Sequence, residues 1–297
     1  MVGAHHRAPM RLNRIENRWD VIELLDAIVD GGTKVTGEDG KKRHVQGGPI
    51  SANRTLAAVR VLFNWALRRG IIETTPTAMV ERPGQEHQRE RALHADEICF
   101  LWPAFAAVGY PFGTFFQMAL LTAQRREEVA GMRWADIDLP EKVWTLPAEL
   151  TKARRAHVVP LSSPAVEILA GLPRIGNYVF TTAGNRPISG FSKGKTRVDG
   201  KIANARKDAG LADLEPWTIH DLRRTVATEL ARLGIGRLII AKLLNHSDRS
   251  ITGIYDRHAY TQEKRHALDT WGQYLSGLLA APAADNVVPV KTQGGCI

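Results

Sequence analysis

Six side chains between residues 125 and 255 have the chemistry to act on a phosphodiester. In Thr218-Ile219-His220-Asp221, a threonine precedes a helical run and an aspartate follows three residues on, which is the pattern of a capping box that starts a helix. His220 and Arg223 then lie one turn apart on one face, beside a helix N-terminus that itself attracts anions. In LLTAQRREEVAGMRW an apolar stretch runs straight into Arg125, so a guanidinium arrives at the edge of a core with Glu128 on its face. The planar donor fork of a guanidinium is suited to clamping a phosphate. Lys152 stands in the polar turn Thr151-Lys152-Ala153-Arg154-Arg155 between two expected strands, where it can reach into a groove or donate a proton. His246 follows Leu243-Leu244-Asn245, and Tyr255 comes nine residues later in SITGIYDRH.

Taken singly, each has an ordinary account: a capping turn, a surface ion pair, a solvated lysine, a helix-ending histidine, a half-buried tyrosine. Taken together they compose one reaction. Two arginines and a histidine neutralise a phosphodiester, a lysine serves as acid, and a tyrosine hydroxyl attacks in line. Competing chemistries lack their residues. The chain has no HExxH, no cluster of Cys and His, and no Gly-rich phosphate loop, so neither a metal nor a cofactor is expected.

The elements that must position these groups are mainly helical. At 297 residues the chain exceeds what one core usually fills, and two domains are expected. Hydrophobic residues at 44% exclude a largely disordered chain, and a net charge of +9 favours a polyanionic partner. Only two cysteines, Cys99 and Cys296, are present, which argues against a disulfide framework and for a reducing compartment. The uncharged run 98–124 has the length of a membrane span but is punctuated by Pro103, Gly109, Pro111 and Gly113, so two buried helices are expected instead. No signal peptide is read at the N-terminus, and a cytoplasmic protein is expected.

In the front part, Ile15, Trp19, Ile22, Leu25 and Ile28 mark a first helix. Leu56, Val59, Leu62, Phe63 and Ala66 mark a second, with a polar Gly-rich loop over 32–49 between them. The spacing behind the linker predicts helices over 95–107, 113–132, 192–209, 219–233, 236–244, 250–255 and 262–279, and short strands over 143–146, 157–161 and 178–181. Segment 186–207 is strongly basic, with Arg186, Lys193, Lys195, Arg197, Lys201, Arg206 and Lys207 opposed only by Asp199. With Arg154 and Arg155 of the polar turn, its cations Lys193, Lys195, Arg197, Lys201, Arg206 and Lys207 are the expected DNA contacts.

The order Arg125, Lys152, His220-x-x-Arg223, His246, Tyr255 resembles the tyrosine recombinase family, especially phage-type and genomic-island integrases. LLTAQRREEVAGMRWADIDL, TKARRAHVVPLS, TIHDLRRTVATELARLGI, LLNHSD and ITGIYDRH are similar to its successive boxes, and ANRTLAAVRVLFNWALRRGII to the last part of its core-binding domain. The resemblance implies a mainly α fold with a small β-sheet, divided into a shortened helical core-binding domain over 1–83, a linker over 84–91, a catalytic domain over 92–280 and a disordered tail over 281–297.

It also implies roles. Tyr255 attacks the scissile phosphate to give a 3'-phosphotyrosyl link and a free 5'-hydroxyl. Arg125 and Arg223 hold the non-bridging oxygens, Lys152 protonates the leaving oxygen, His220 assists proton transfer, and His246 donates to the phosphate. The implied partners are double-stranded DNA attachment sites and, on DNA, three further copies in a homotetramer, the protein being a monomer without it. Accessory DNA-bending proteins are a further implied partner, the setting is the nucleoid, and no membrane is involved. The helix over 262–279 is expected to dock on a neighbouring protomer when DNA is bound. Two other readings are a type IB topoisomerase and a catalytically idle or truncated DNA-binding fragment.

Overall fold

The computed structural model describes residues 15–31, 34–36, 42–44, 47–86, 90–151, 154–246 and 258–280. The chain forms two compact units, Met1–Arg89 and Glu90–Ile297. Among the described residues no helix is long and apolar enough to cross a membrane. The expected helix over 250–255 and the tail over 281–297 lie outside the described residues.

The first unit pairs α1 (Arg18–Gly31) with α2 (Pro49–Arg68) around Val21, Leu25, Ala52 and Leu56. Between them the segment expected as an irregular loop carries an antiparallel pair, β1 (Lys34–Thr36) and β2 (Lys42–His44), with Val35 opposite Arg43. Strands of three residues are too short for an alternation pattern to announce them. Two residues assigned to the apolar faces are instead exposed, Trp19 at 68% and Leu62 at 45%. At about 100° per residue each is turned well away from the line through Val21 and Leu25, or Leu56 and Val59. Asn53, buried in α2, donates to the Gly84 carbonyl (2.8 Å) and accepts from its N–H (3.1 Å), so the start of the expected linker is tied to this unit.

In the second unit α3 (Ala95–Val108) and α4 (Phe112–Thr122) are the two buried helices expected in the uncharged run. Pro103 does not break α3: burial of Leu101, Ala104 and Phe105 beside it outweighs the one lost backbone bond. Tight passage into α4 requires Gly113, where a Cβ would stand 1.9 Å from the Phe105 carbonyl oxygen. Helix α4 is buried on all sides from Phe115 to Thr122. Phe105 stacks on Phe116, and both rings contact Trp217.

The expected helix over 113–132 is two helices, since Ala123 takes a left-handed conformation (φ 56°) and α5 (Arg126–Ala130) starts after it. A three-stranded antiparallel sheet follows, in the order β3 (Ile137–Asp138), β4 (Val143–Leu146), β5 (His157–Pro160). Trp144 faces Val159 across it, and Leu146 faces His157. Residues 178–181 are not a strand: Tyr178 makes a single bridge to Arg133, after which the Thr181 side chain accepts the N–H groups of Ala183 and Gly184 in a turn.

The remaining elements are α6 (Ser163–Ala170), α7 (Phe191–Asp208), α8 (Ile219–Arg232), α9 (Arg237–Leu243) and α10 (Thr261–Ala280). In the single chain helix α10 turns most of its apolar stripe inward, with Leu278 and Leu279 half-buried. Ala267, Leu268, Trp271 and Leu275 are buried in this unit's own core, and the Trp271 indole N–H donates to the Leu120 carbonyl (2.9 Å). Close packing explains the difference: Gly272 lets α10 approach Ser162 at the start of α6 so nearly that a Cβ would lie 3.0 Å from it.

Candidate active site

The break at Ala123 builds the site. By ending α4 there, the chain frees the Ala123 carbonyl, which accepts from Arg223 Nη1 (2.8 Å), and turns Arg125 into the residue that caps α5. The Arg125 N–H and Nη1 donate to the two carboxylate oxygens of Glu128, each at 2.8 Å. Glu128 is buried while the Arg125 side chain stays 31% exposed. This pair is therefore a fixed bracket that leaves part of the guanidinium facing solvent, unlike a loose surface ion pair.

Arg223 reaches the same place from α8. The Thr218 N–H donates to Asp221 (2.8 Å), which sets the start of the helix as the capping pattern predicts. One turn in, Arg223 is only 5% exposed, and its Nη2 donates to the Leu244 carbonyl (2.5 Å). Burial and the charge of Arg125 pull Arg223 down to about 10, so it remains a cation at neutral pH.

The end of α9 closes the arrangement. Asn245 adopts a left-handed conformation (φ 48°), and the His246 N–H returns to the Ala241 carbonyl (3.0 Å), a helix-ending turn that favours an asparagine there. The Asn245 carbonyl accepts from Arg125 Nη2 (3.3 Å). His246 and His220 are both exposed, and both imidazoles fall below their ordinary value. Desolvation is the first cause in each; Arg223 and Arg125 follow for His246, and Arg224 and Arg223 for His220. Arg125, His220, Arg223 and His246 are thus gathered in one field of positive charge. A cleft of about 560 Å³ is lined by Arg125, His220 and Arg223 and walled by Phe191, Lys195, Trp217 and Ile219.

Lys152 and Tyr255 lie outside the described residues. The turn beside Lys152 is organised by buried Thr151, whose hydroxyl donates to the Arg155 carbonyl (2.8 Å) and accepts its N–H (3.1 Å). Arg154 and Arg155 are exposed. The basic segment is not one patch. Lys193, Arg197 and Lys201 follow one another at four-residue steps on α7 and are exposed, as is Lys207, and Arg197 and Lys201 line a separate hollow with Ala107 and Val108. Lys195 is held at the cleft by Asp199 (2.6 Å) and lies over the Trp217 ring. Arg206 is turned inward, donating to the Ala212 carbonyl (2.6 Å) and covering Phe100.

Two site residues escaped the sequence reading. His157, at the first position of β5, points inward and its Nε2 bonds the Leu243 carbonyl (3.0 Å). Burial, then the charge of Lys264, drives its imidazole to about 4. Gln124 is also buried and donates to the same carbonyl (3.1 Å). Inward alternation along β5 was the available signal for His157. For Gln124 none existed, because a helix through residue 124 leaves its amide no special task.

A small sheet set in helices thus carries Arg125, Arg223 and His220 on one cleft, with His246 in the field of the same arginines. Residues 86–262 match the Phage integrase family, and the chain belongs to that family. The likeness to tyrosine recombinases read from the boxes is thereby borne out. Prophage integrase IntZ of Escherichia coli K12 is 28% identical over 244 residues, covering 78% of this chain and 57% of the relative. Prophage integrase IntA of the same strain is matched over 56% of its length, so the chain spans little more than half of these relatives. A tyrosine recombinase of Thermosipho africanus is 28% identical over 264 residues, 87% of this chain and 85% of that protein. Among solved structures, a lambda integrase dimer bound to a COC' core site has the same fold, with a TM-score of 0.55 at 22% identity over 78% of this chain and 80% of that one. The expected class, mainly α with a small β-sheet, is therefore the one found.

Proposed function

We propose that this chain is a site-specific DNA recombinase that cuts and rejoins strands through a 3'-phosphotyrosyl intermediate, in integrating or excising a phage or genomic island. The observation that carries this reading is the convergence of Arg125, Arg223 and His220 on one cleft, with His246 in the field of the same arginines. Arg223, largely withdrawn from water, and Arg125, bracketed by Glu128, offer their remaining N–H donors to the non-bridging oxygens of the scissile phosphate. Tyr255 Oη attacks phosphorus, the P–O5' bond breaks, and Lys152 gives its proton to the leaving oxygen. The phenol proton passes to His220, whose lowered affinity for protons keeps it neutral and able to accept near pH 7. The arginine charges also favour the phenolate over a phenol of ordinary pKa about 10. Energy of the broken ester is stored in the tyrosyl link, so rejoining needs no nucleotide.

Double-stranded attachment-site DNA is the proposed substrate, with Arg154, Arg155, Lys193, Arg197, Lys201 and Lys207 on its backbone. DNA complexes among the fold relatives include a lambda integrase tetramer on a Holliday junction, which supports a homotetramer as the working assembly here. The test is a nicked suicide substrate whose short cleaved fragment diffuses away. Wild-type protein should appear as a DNA-linked band on a denaturing gel, and Tyr255→Phe should abolish it. A linked band that survives Tyr255→Phe would overturn the assignment.

A further inference from the structure

Helix α9 ends in three carbonyls to which no backbone N–H of the described residues donates. The backbone N–H groups of Leu244, Asn245 and His246 return to Ile240, Lys242 and Ala241, so among the described residues the carbonyls of Leu243, Leu244 and Asn245 are met by side chains. Arg223 takes Leu244 and Arg125 takes Asn245. Leu243 receives two donors, Gln124 Nε2 from the α4–α5 turn and His157 Nε2 from β5. The Gln124 amide also donates to the Thr122 carbonyl (2.8 Å), which leaves its Oε1 buried without a hydrogen bond among the described residues. An orphaned acceptor costs stability that an apolar side chain of the same size would not. The glutamine is thus held for its two donor bonds.

We propose that Gln124 and His157 are positioning residues that act together through the Leu243 carbonyl, fixing the end of α9 so that its next two carbonyls orient the arginines and its turn presents His246 to the phosphate. The proposal rests on the recombinase reading for its consequence, but its geometry stands without it.

The test uses the full chain with Gln124→Met, His157→Phe and the double variant. Either donor alone keeps Leu243 satisfied, whereas losing both removes every donor it has among the described residues, so the effects should be more than multiplicative. Covalent-complex formation should fall about threefold or less in each single variant and about thirtyfold in the double, with DNA affinity within about twofold throughout. His157→Gln restores a donor, so combined with Gln124→Met it should cleave like Gln124→Met alone. That comparison also decides the matter if the double variant does not fold. Multiplicative losses, losses that follow DNA affinity, or no recovery with His157→Gln would each overturn the proposal. If wild-type protein forms no covalent complex, it is the recombinase reading that fails, and NMR titration of His246 decides the positioning instead. Release of the turn should raise the His246 pKa in the double variant and not in either single one; equal titration in all four proteins refutes it.

Discussion

His157 makes the second unit sensitive to acid, and the size of the effect follows from its burial. In the unfolded chain this imidazole titrates near 6.5; in the fold desolvation first, then Lys264, brings it to about 4. The unfolded state therefore binds the proton more readily, and stability is lost as pH falls through 6.5 towards 4. A difference of this size removes about 2 kcal/mol by pH 5 and about 3 kcal/mol once both states are protonated. His157→Gln keeps a donor for Leu243 without a titrating ring. Urea unfolding followed by tryptophan fluorescence at pH 8 and pH 5 should show wild-type protein losing about 2 kcal/mol more than the variant over that interval. His220 and His246 shift in the same direction and remain in both proteins, so the variant keeps some slope. Equal losses in the two proteins would refute the assignment of the acid response to His157.

Trp271→Ala should lower stability by about 3 to 5 kcal/mol, because a buried indole and its bond to Leu120 are lost together; the melting temperature checks this. Removing everything after Thr261 should give insoluble protein for the same reason. Alanine at Lys193, Arg197 and Lys201 should flatten the salt dependence of DNA binding by about 0.9 in log–log slope for each phosphate no longer neutralised, measured by titration at several salt concentrations. EDTA should leave covalent-complex formation unchanged, since side-chain cations supply the charge neutralisation; loss restored by magnesium would contradict this.

Much of the fold could be read from the sequence because its signals are local. Thr218 and Asp221 announce the start of α8 through the chemistry of a capping box, and the apolar period of α4 shows a helix buried on all sides. The break at Ala123 was not legible: nothing in TAQRR disfavours a helix, and the left-handed turn is held by a carbonyl-to-Arg223 bond across a hundred residues of chain. Gln124 was not legible for the same reason, and for His157 alternation along β5 signals burial but not its partner, the Leu243 carbonyl far away in sequence. Leu62 and Trp19 fit a loose helical period that a wheel at 100° per residue would have rejected. The strand expected over 178–181 carries β-forming residues, yet only Tyr178 finds a partner strand position.

The seating of α10 sets the order in which this protein can fold and associate. With Leu268, Trp271 and Leu275 enclosed by the chain that carries them, completing the second unit requires no second copy. Its folding is then unimolecular, and its melting temperature should stay constant when protein concentration changes a hundredfold, whereas a helix lent to a neighbour would make it rise with concentration. In the proposed assembly on DNA, copies would therefore meet already folded. Contacts in that proposed assembly would be drawn from outer surfaces, and would form and dissolve without opening a core.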